Sequence, residues 1–237
     1  MFLRQLMGTP RTCPIPILLW ETGSLLMEHR VAKKKLMFYH HLINLPTESL
    51  AFEVAKLQDI LGYPGLVQEC KELIKTYKLP EPHPYSTAQW RMMVKRATLN
   101  QNKLDLLQKM EAYKKLDHTC HAEEAFGVKG YLKALNIPDA RLKFALRSKM
   151  TQTVQMNFKR EKKFMLNGWR CVSCYGLDSQ EHLMYCEGYK SLRIGKNLES
   201  DQDLVSYFRS IIKLRLEAGL PMTAPAQVHA VLGARSR

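Results

Sequence analysis

The sequence has no apolar run approaching the roughly 18 residues that a membrane span needs, which excludes a transmembrane chain. The run Pro14–Trp20 is interrupted by Pro14 and Pro16 and is too short for the core of a signal peptide. The expectation is therefore an intracellular protein, of the nucleus or the cytoplasm. Acid is scarce: 22 Asp+Glu stand against 36 Lys+Arg in 237 residues, a formal charge of +14. That excess favours a polyanionic partner, most simply RNA or DNA, and no membrane partner is expected. No internal repeat and no low-complexity tract occurs, and 46% hydrophobic with 24% charged residues argues against wholesale disorder.

What is present reads as helix almost throughout. Leu25, Leu26, Leu36, Met37 and Ile43 lie in one long segment whose polar side carries Arg30, Lys33, Lys34 and Lys35. Thr47 offers an N-cap, Leu50, Val54, Leu57 and Leu61 recur at helical spacing, and Gly62 supplies a stop. After Pro64 the same period continues through Leu66, Cys70, Leu73, Ile74 and Tyr77, so two helices form a hairpin. Pro80, Pro82 and Pro84 make a loop or linker. Ser86 or Thr87 caps a helix with Trp90, Met93, Val94 and Ala97 on one face, and Asn100–Asn102 interrupts before Leu104, Leu107, Met110 and Tyr113. A short helix spans Val128–Leu135, and Asp139 starts another that runs to about Met150.

The fold class this predicts is all-α: a multi-helix body with a small C-terminal zinc-knuckle module. The expected division is 1–79 as an N-terminal helical region, 80–85 as a Pro-rich linker and 86–163 as a basic helical region. The knuckle follows at 164–195, and 196–237 is a last helix with a frayed tail.

Six cysteines are present, and three of them cluster with a histidine, a pattern of metal rather than disulfides. Cys171, Cys174, His182 and Cys186 form C-x2-C-x7-H-x3-C. Two residues between thiolates bring both sulfurs to one side of a turn, and His182 and Cys186 lie four positions apart, which is one helical turn. Three thiolates and one imidazole are a closed tetrahedral set, which is the form of structural Zn2+ with no open position for hydrolytic water. The competing reading is three buried thiols beside an unrelated histidine. Cys70 sits on an apolar helical face and reads as core. Cys120 with His118 and His121 lacks a thiol pair and makes a poor second site.

Arg141, Lys143, Arg147, Lys149, Lys159, Arg160, Lys162 and Lys163 are eight cations against the single acid Glu161, a local +7. Such a strip neutralises phosphates and releases counterions. Trp169 and Tyr175, beside the first ligands, are candidates for stacking on bases, and so is Tyr185; packing inside the small module is the alternative for each.

These residues resemble the segment after the polymerase core of LINE-type, non-LTR retrotransposon reverse transcriptases. The resemblance runs through Ala145-Leu146-Arg147-Ser148-Lys149-Met150-Thr151, Asn157-Phe158, the Cys171–Cys174 pair, Asp178-Ser179-Gln180-Glu181-His182-Leu183, Cys186, Glu187-Gly188-Tyr189 and Arg193. Upstream, Leu18-Leu19-Trp20-Glu21-Thr22-Gly23-Ser24-Leu25 and Leu36–Leu45 are similar to the helices between thumb and knuckle. The likeness covers roughly Arg11 to Glu217 and is most specific at the knuckle. It implies a segment that holds template RNA or target DNA while other parts of a reverse transcriptase do the chemistry. No Tyr/Phe-x-Asp-Asp tetrad occurs, and too few residues follow Cys186 for a complete restriction-like nuclease. The chain thus looks like a C-terminal fragment of such an element, or a gene derived from one, with no catalysis of its own and no small-molecule substrate.

Pro138-Asp139 and Glu161-Lys162-Lys163 superficially fit a PD…(D/E)xK nuclease, but that fold wants carboxylates on adjacent strands, and Asp139 reads instead as a helix N-cap. A protein-interaction scaffold, stapled by zinc and using Met-rich faces (12 Met), is the alternative function.

Overall fold

A computed structural model describes residues 2–9, 13–113, 126–148, 171, 173–174, 176 and 179–217. Eleven α-helices are described: α1 Phe2–Leu6, α2 Ile15–Glu21, α3 Met27–Ile43, α4 Leu50–Leu61, α5 Leu66–Thr76, α6 Thr87–Glu111, α7 Tyr131–Ala134, α8 Ile137–Arg147, α9 Gln180–Tyr185, α10 Lys190–Arg193 and α11 Asp201–Glu217. The described residues hold no strand, only an isolated bridge between Thr22 and Val128, so the fold class is all-α. No described helix is long and apolar enough to cross a membrane.

The chain divides into two compact units, residues 23–113 and residues 1–22 with 114–237. This differs from the expected boundaries, because Pro80–Tyr85 lies inside the first unit. There it turns the chain from α5 into α6, and His40 on α3 holds the turn through the Tyr85 carbonyl (2.9 Å). Three prolines make that segment irregular, but the helices on either side share one core, so it separates nothing.

Helix α3 is the centre of the 23–113 unit and packs against α4, α5 and α6. Its buried face, with Leu36, Tyr39 and Leu42, meets Val67, Cys70 and Ile74 of α5 and Trp90 and Val94 of α6. Trp90 is fully buried, donates to the Leu36 carbonyl (3.0 Å) and stacks on His40. Cys70 is fully buried as a core thiol, and desolvation pushes it up to about 11.

Helix α6 starts at a complete capping box, in which Ser86 accepts from Gln89 N and the Gln89 side chain accepts from Ser86 N. It then continues without a break to Glu111, overriding the expected interruption at Asn100–Asn102. Asn102 is fully buried there, and its Oδ1 accepts from Leu26 N at 2.8 Å. A poor helix former is retained because its amide meets the chain entering α3.

Helix α4 is capped by Ser49 rather than Thr47, and ends at Gly62 in the left-handed conformation as expected. Only Ala55 is buried on it; Leu50, Val54, Leu57 and Leu61 line the exposed side. Their spacing reports the helix, not its core face.

In the other unit, α2 is buried along nearly its whole length, from Pro16 to Glu21. Glu21 is fully buried and takes a forked pair of hydrogen bonds from Arg147 of α8 (3.1–3.2 Å) and one from the Tyr131 hydroxyl (2.8 Å). Burial, and then the Glu21 charge, push the Tyr131 phenol well above its ordinary range. Helix α8 is capped by Asn136, not Asp139. Asp139 lies in its first turn and pairs with Arg209 of α11 (2.6 Å). Neither residue of Pro138–Asp139 is on a strand, and Glu161–Lys163 lies outside the described residues.

Candidate metal centre

Helix α9 is six residues long, too short to stand alone, so its fixity comes from outside. Ser179 caps its start by accepting from His182 N (3.1 Å), and Gln180 ties it to α8 through the Leu146 carbonyl (2.8 Å). At its far end Arg193 of α10 donates to the carbonyls of Cys186 (2.8 Å), Met184 (3.3 Å) and Tyr185 (3.4 Å). Those of Met184 and Tyr185 are orphan helix carbonyls, and one guanidinium satisfies both while adding to the Tyr189 N donation that the Cys186 carbonyl accepts. Tyr207, fully buried on α11, adds a 2.5 Å hydrogen bond to the Leu183 carbonyl.

This frame brings Cys171, Cys174, His182 and Cys186 together, with all four donor atoms within 4.8 Å of one another. Cys171 Sγ lies 3.7 Å from Cys186 Sγ, Cys174 Sγ lies 3.5 Å from Cys186 Sγ, and Cys174 Sγ lies 3.1 Å from His182 Nε2. A disulfide would need about 2.05 Å, so these are free thiols. Four donors about 2.0–2.3 Å from a central ion at tetrahedral angles stand roughly 3.5–3.8 Å apart. The sulfur–sulfur separations match that spacing, and the sulfur–nitrogen one is slightly contracted. The group could hold a metal ion.

The loop between the first two cysteines is closed by Cys171 N donating to the Gly176 carbonyl (2.6 Å). Two glycines allow the approach. A Cβ at Gly176 would stand 2.8 Å from His182 Cε1 and 3.5 Å from Cys174 Sγ. A Cβ at Gly188 would stand 2.1 Å from Ser173 Cβ, beside Cys174.

Cys171 and Cys186 also belong to the apolar core of this unit, together with Leu142 and Leu146 of α8, Leu183 of α9, Tyr189, and Val205, Tyr207, Phe208, Ile211 and Ile212 of α11. The donors are thus built into a hydrophobic floor. Desolvation, followed by the hydrogen bond to Cys174, pushes the Cys186 thiol up to about 12. A thiolate there needs a neighbouring cation to form.

The basic strip fares differently. Arg141 donates to the carbonyls of Leu6 (2.8 Å) and Gln5 (3.3 Å), Lys143 is buried against Asp201 (2.6 Å), and Arg147 is clasped by Glu21. These three expected phosphate contacts are engaged inside their own unit. Lys149, Lys159, Arg160, Lys162, Lys163, Trp169 and Tyr175 lie outside the described residues; Tyr185 is described and is 78% exposed.

A different set of cations stands open. Arg91, Lys95 and Arg96 are exposed on α6 and Lys103 is half-buried there, and their side chains make no ion pair or hydrogen bond with the described residues. From Thr87 to Leu104 that helix contains no acid at all, a signal visible in the sequence but masked by attention to the strip before the cysteines. Arg96, with Lys78, also borders a groove of about 380 Å³ floored by Leu79, Met93, Ala97 and Leu104.

No family model, curated protein or solved structure matches the chain.

Proposed function

We propose that this protein is a zinc-stapled, all-α nucleic-acid-binding module of the kind that follows the polymerase core in LINE-type reverse transcriptases, without catalysis of its own. The observation that carries the reading is the convergence of Cys171, Cys174, His182 and Cys186 within 4.8 Å. Three soft thiolates and an imidazole select Zn2+ among abundant divalent ions, and four protein donors leave no position for a reacting water. The ion fixes the loop carrying Cys171 and Cys174 against α9. Its positive charge lets buried thiols such as Cys186 ionise.

The ligand is RNA or DNA, supported by the +14 charge and by the unpaired face of α6. Arg91, Lys95, Arg96 and Lys103 take over the phosphate contacts first expected of Arg141, Lys143 and Arg147. Lys149, Lys159, Arg160, Lys162 and Lys163, with Trp169 and Tyr175 for stacking, keep their expected role.

The test is fluorescence anisotropy of the zinc-loaded chain on short RNA and DNA oligomers, titrated with salt. Each phosphate contact contributes about 0.7–0.9 to the log–log slope. Replacing Arg91, Lys95 and Arg96 together by Gln should flatten that slope by roughly 2–3. Absence of binding at low salt would sink the reading.

A second reading, a scaffold for another protein, is favoured by one observation: Leu50, Val54, Leu57, Ile60 and Leu61 are all exposed on α4. It would be preferred if the α6 substitutions changed nothing and a Leu57→Glu substitution abolished association with a partner.

A further inference from the structure

The unit of residues 23–113 holds a second convergence of donor atoms, unrelated to the cysteines. His29, in the first turn of α3, is only 3% exposed. Its Nδ1 is engaged by the Tyr77 hydroxyl at 2.7 Å, which leaves Nε2 as the active face of the ring. Nε2 lies 3.0 Å from Asp105 Oδ2 on α6, yet it has no partner in hydrogen-bonding geometry, so the ring nitrogen is aimed past the carboxylate rather than at it. Glu28 brings a second carboxylate, and the donor atoms of Glu28, His29 and Asp105 all lie within 4.8 Å of one another.

From this we infer that Glu28, His29 and Asp105 form a second divalent-cation site, of the imidazole–carboxylate class that takes Zn2+, Co2+, Ni2+ or Mn2+. Two donors about 2.1 Å from an octahedral ion stand about 3.0 Å apart, the separation of His29 Nε2 and Asp105 Oδ2. The outer partners are already in place. Tyr77 fixes the orientation of the His29 ring through its other nitrogen, and Gln101 donates to Asp105 Oδ1 (2.8 Å), leaving Oδ2 for the ion. Lys109 donates to Glu28 Oε1 (2.8 Å) from an exposed position and is the group a cation must compete with.

The Glu28 and Asp105 carboxylates, opposed by the Lys109 ammonium, lie in a chain of +14, so the donors themselves, not the overall field, hold the ion. Three protein donors leave water in the remaining positions, unlike the closed thiolate set. Occupation ties the start of α3 to α6 and thereby braces the helix pair at the centre of this unit. The inference stands independently of the nucleic-acid reading.

The test is a Co2+ titration of the full chain, followed by equilibrium dialysis and visible absorption. The wild type should bind two equivalents: one with the intense thiolate charge-transfer and tetrahedral bands, and one that adds only weak absorption. Glu28→Gln, an exposed change that leaves the core untouched, and Asp105→Asn should each remove the weakly absorbing equivalent and leave the thiolate spectrum unchanged. Cys174→Ser should do the reverse. A single equivalent in the wild type, or a second that survives both Glu28→Gln and Asp105→Asn, would overturn the assignment.

Discussion

Gly188→Ala is a one-carbon change outside the four donors, and it tests whether their frame is as tight as described. The new Cβ would stand 2.1 Å from Ser173 Cβ and 2.7 Å from its Oγ, and 3.4 Å from its Cα. Rotating a side chain cannot relieve a contact with a Cβ, so the Ser173 backbone must retreat by about 1 Å to restore ordinary packing. Cys174 is the next residue, and metal–ligand distances tolerate only about 0.2 Å. Overpacking of this kind costs about 1–3 kcal/mol. If that strain is relieved by loosening Cys174, zinc affinity falls by roughly 5- to 150-fold, at tenfold per 1.4 kcal/mol. Competition against a chromophoric chelator reads the change directly. Pairing Gly188→Ala with Ser173→Gly removes the opposing Cβ and should restore affinity. Gly62→Ala is the control. It too strains the backbone, at φ +62, but nothing lies within 4 Å of its Cβ, and it belongs to the other unit, so stability drops while zinc affinity holds. Wild-type affinity in Gly188→Ala, or no rescue by Ser173→Gly, would refute the described packing of the loop on the Glu187–Tyr189 turn.

The remaining predictions concern the supports around the two sites. Glu21→Gln strips the charge that Arg147 and Tyr131 share in a fully buried position, and should cost about 3–5 kcal/mol, seen as a large fall in Tm. Tyr207→Phe deletes the hydroxyl bound to the Leu183 carbonyl and should cost about 1–3 kcal/mol while retaining zinc, by chemical denaturation and metal analysis. Cys13 and Cys70 are raised by burial to about 11, so the native state keeps their protons where the unfolded chain has lost them. Their contribution to stability is full below the ordinary thiol pKa of about 8.5 and is lost as pH rises toward 11. Alkylation mapping at pH 8 should leave both unmodified until denaturant is added.

Features set by neighbours in the chain were legible in the sequence. The Gly62 stop and the cap at Ser86 depend on contacts within a few residues, the four donors of C-x2-C-x7-H-x3-C lie within sixteen residues of chain, and each appears in the structure. What depended on distant partners was not. Arg147 and Glu21 are 126 residues apart, so nothing local marks that arginine as structural rather than as a phosphate ligand. Asn102 looked like a break because its own propensity is poor, and only the Leu26 backbone explains its place. The α4 leucines show the limit of periodicity, which finds a helix but not which side is covered. Gly188 and Arg193 are essential to the geometry around the cysteines, yet their contacts come from folding the turn and α10 back onto the loop and α9.

The central claim is that four converging side chains hold one zinc ion that staples the module. Native mass spectrometry of the chain, after dialysis against a weak chelator, tests it most directly. The account predicts one retained zinc ion, and its loss in Cys174→Ser. A metal-free wild-type chain, or a zinc ion that persists unchanged in Cys174→Ser, would contradict it.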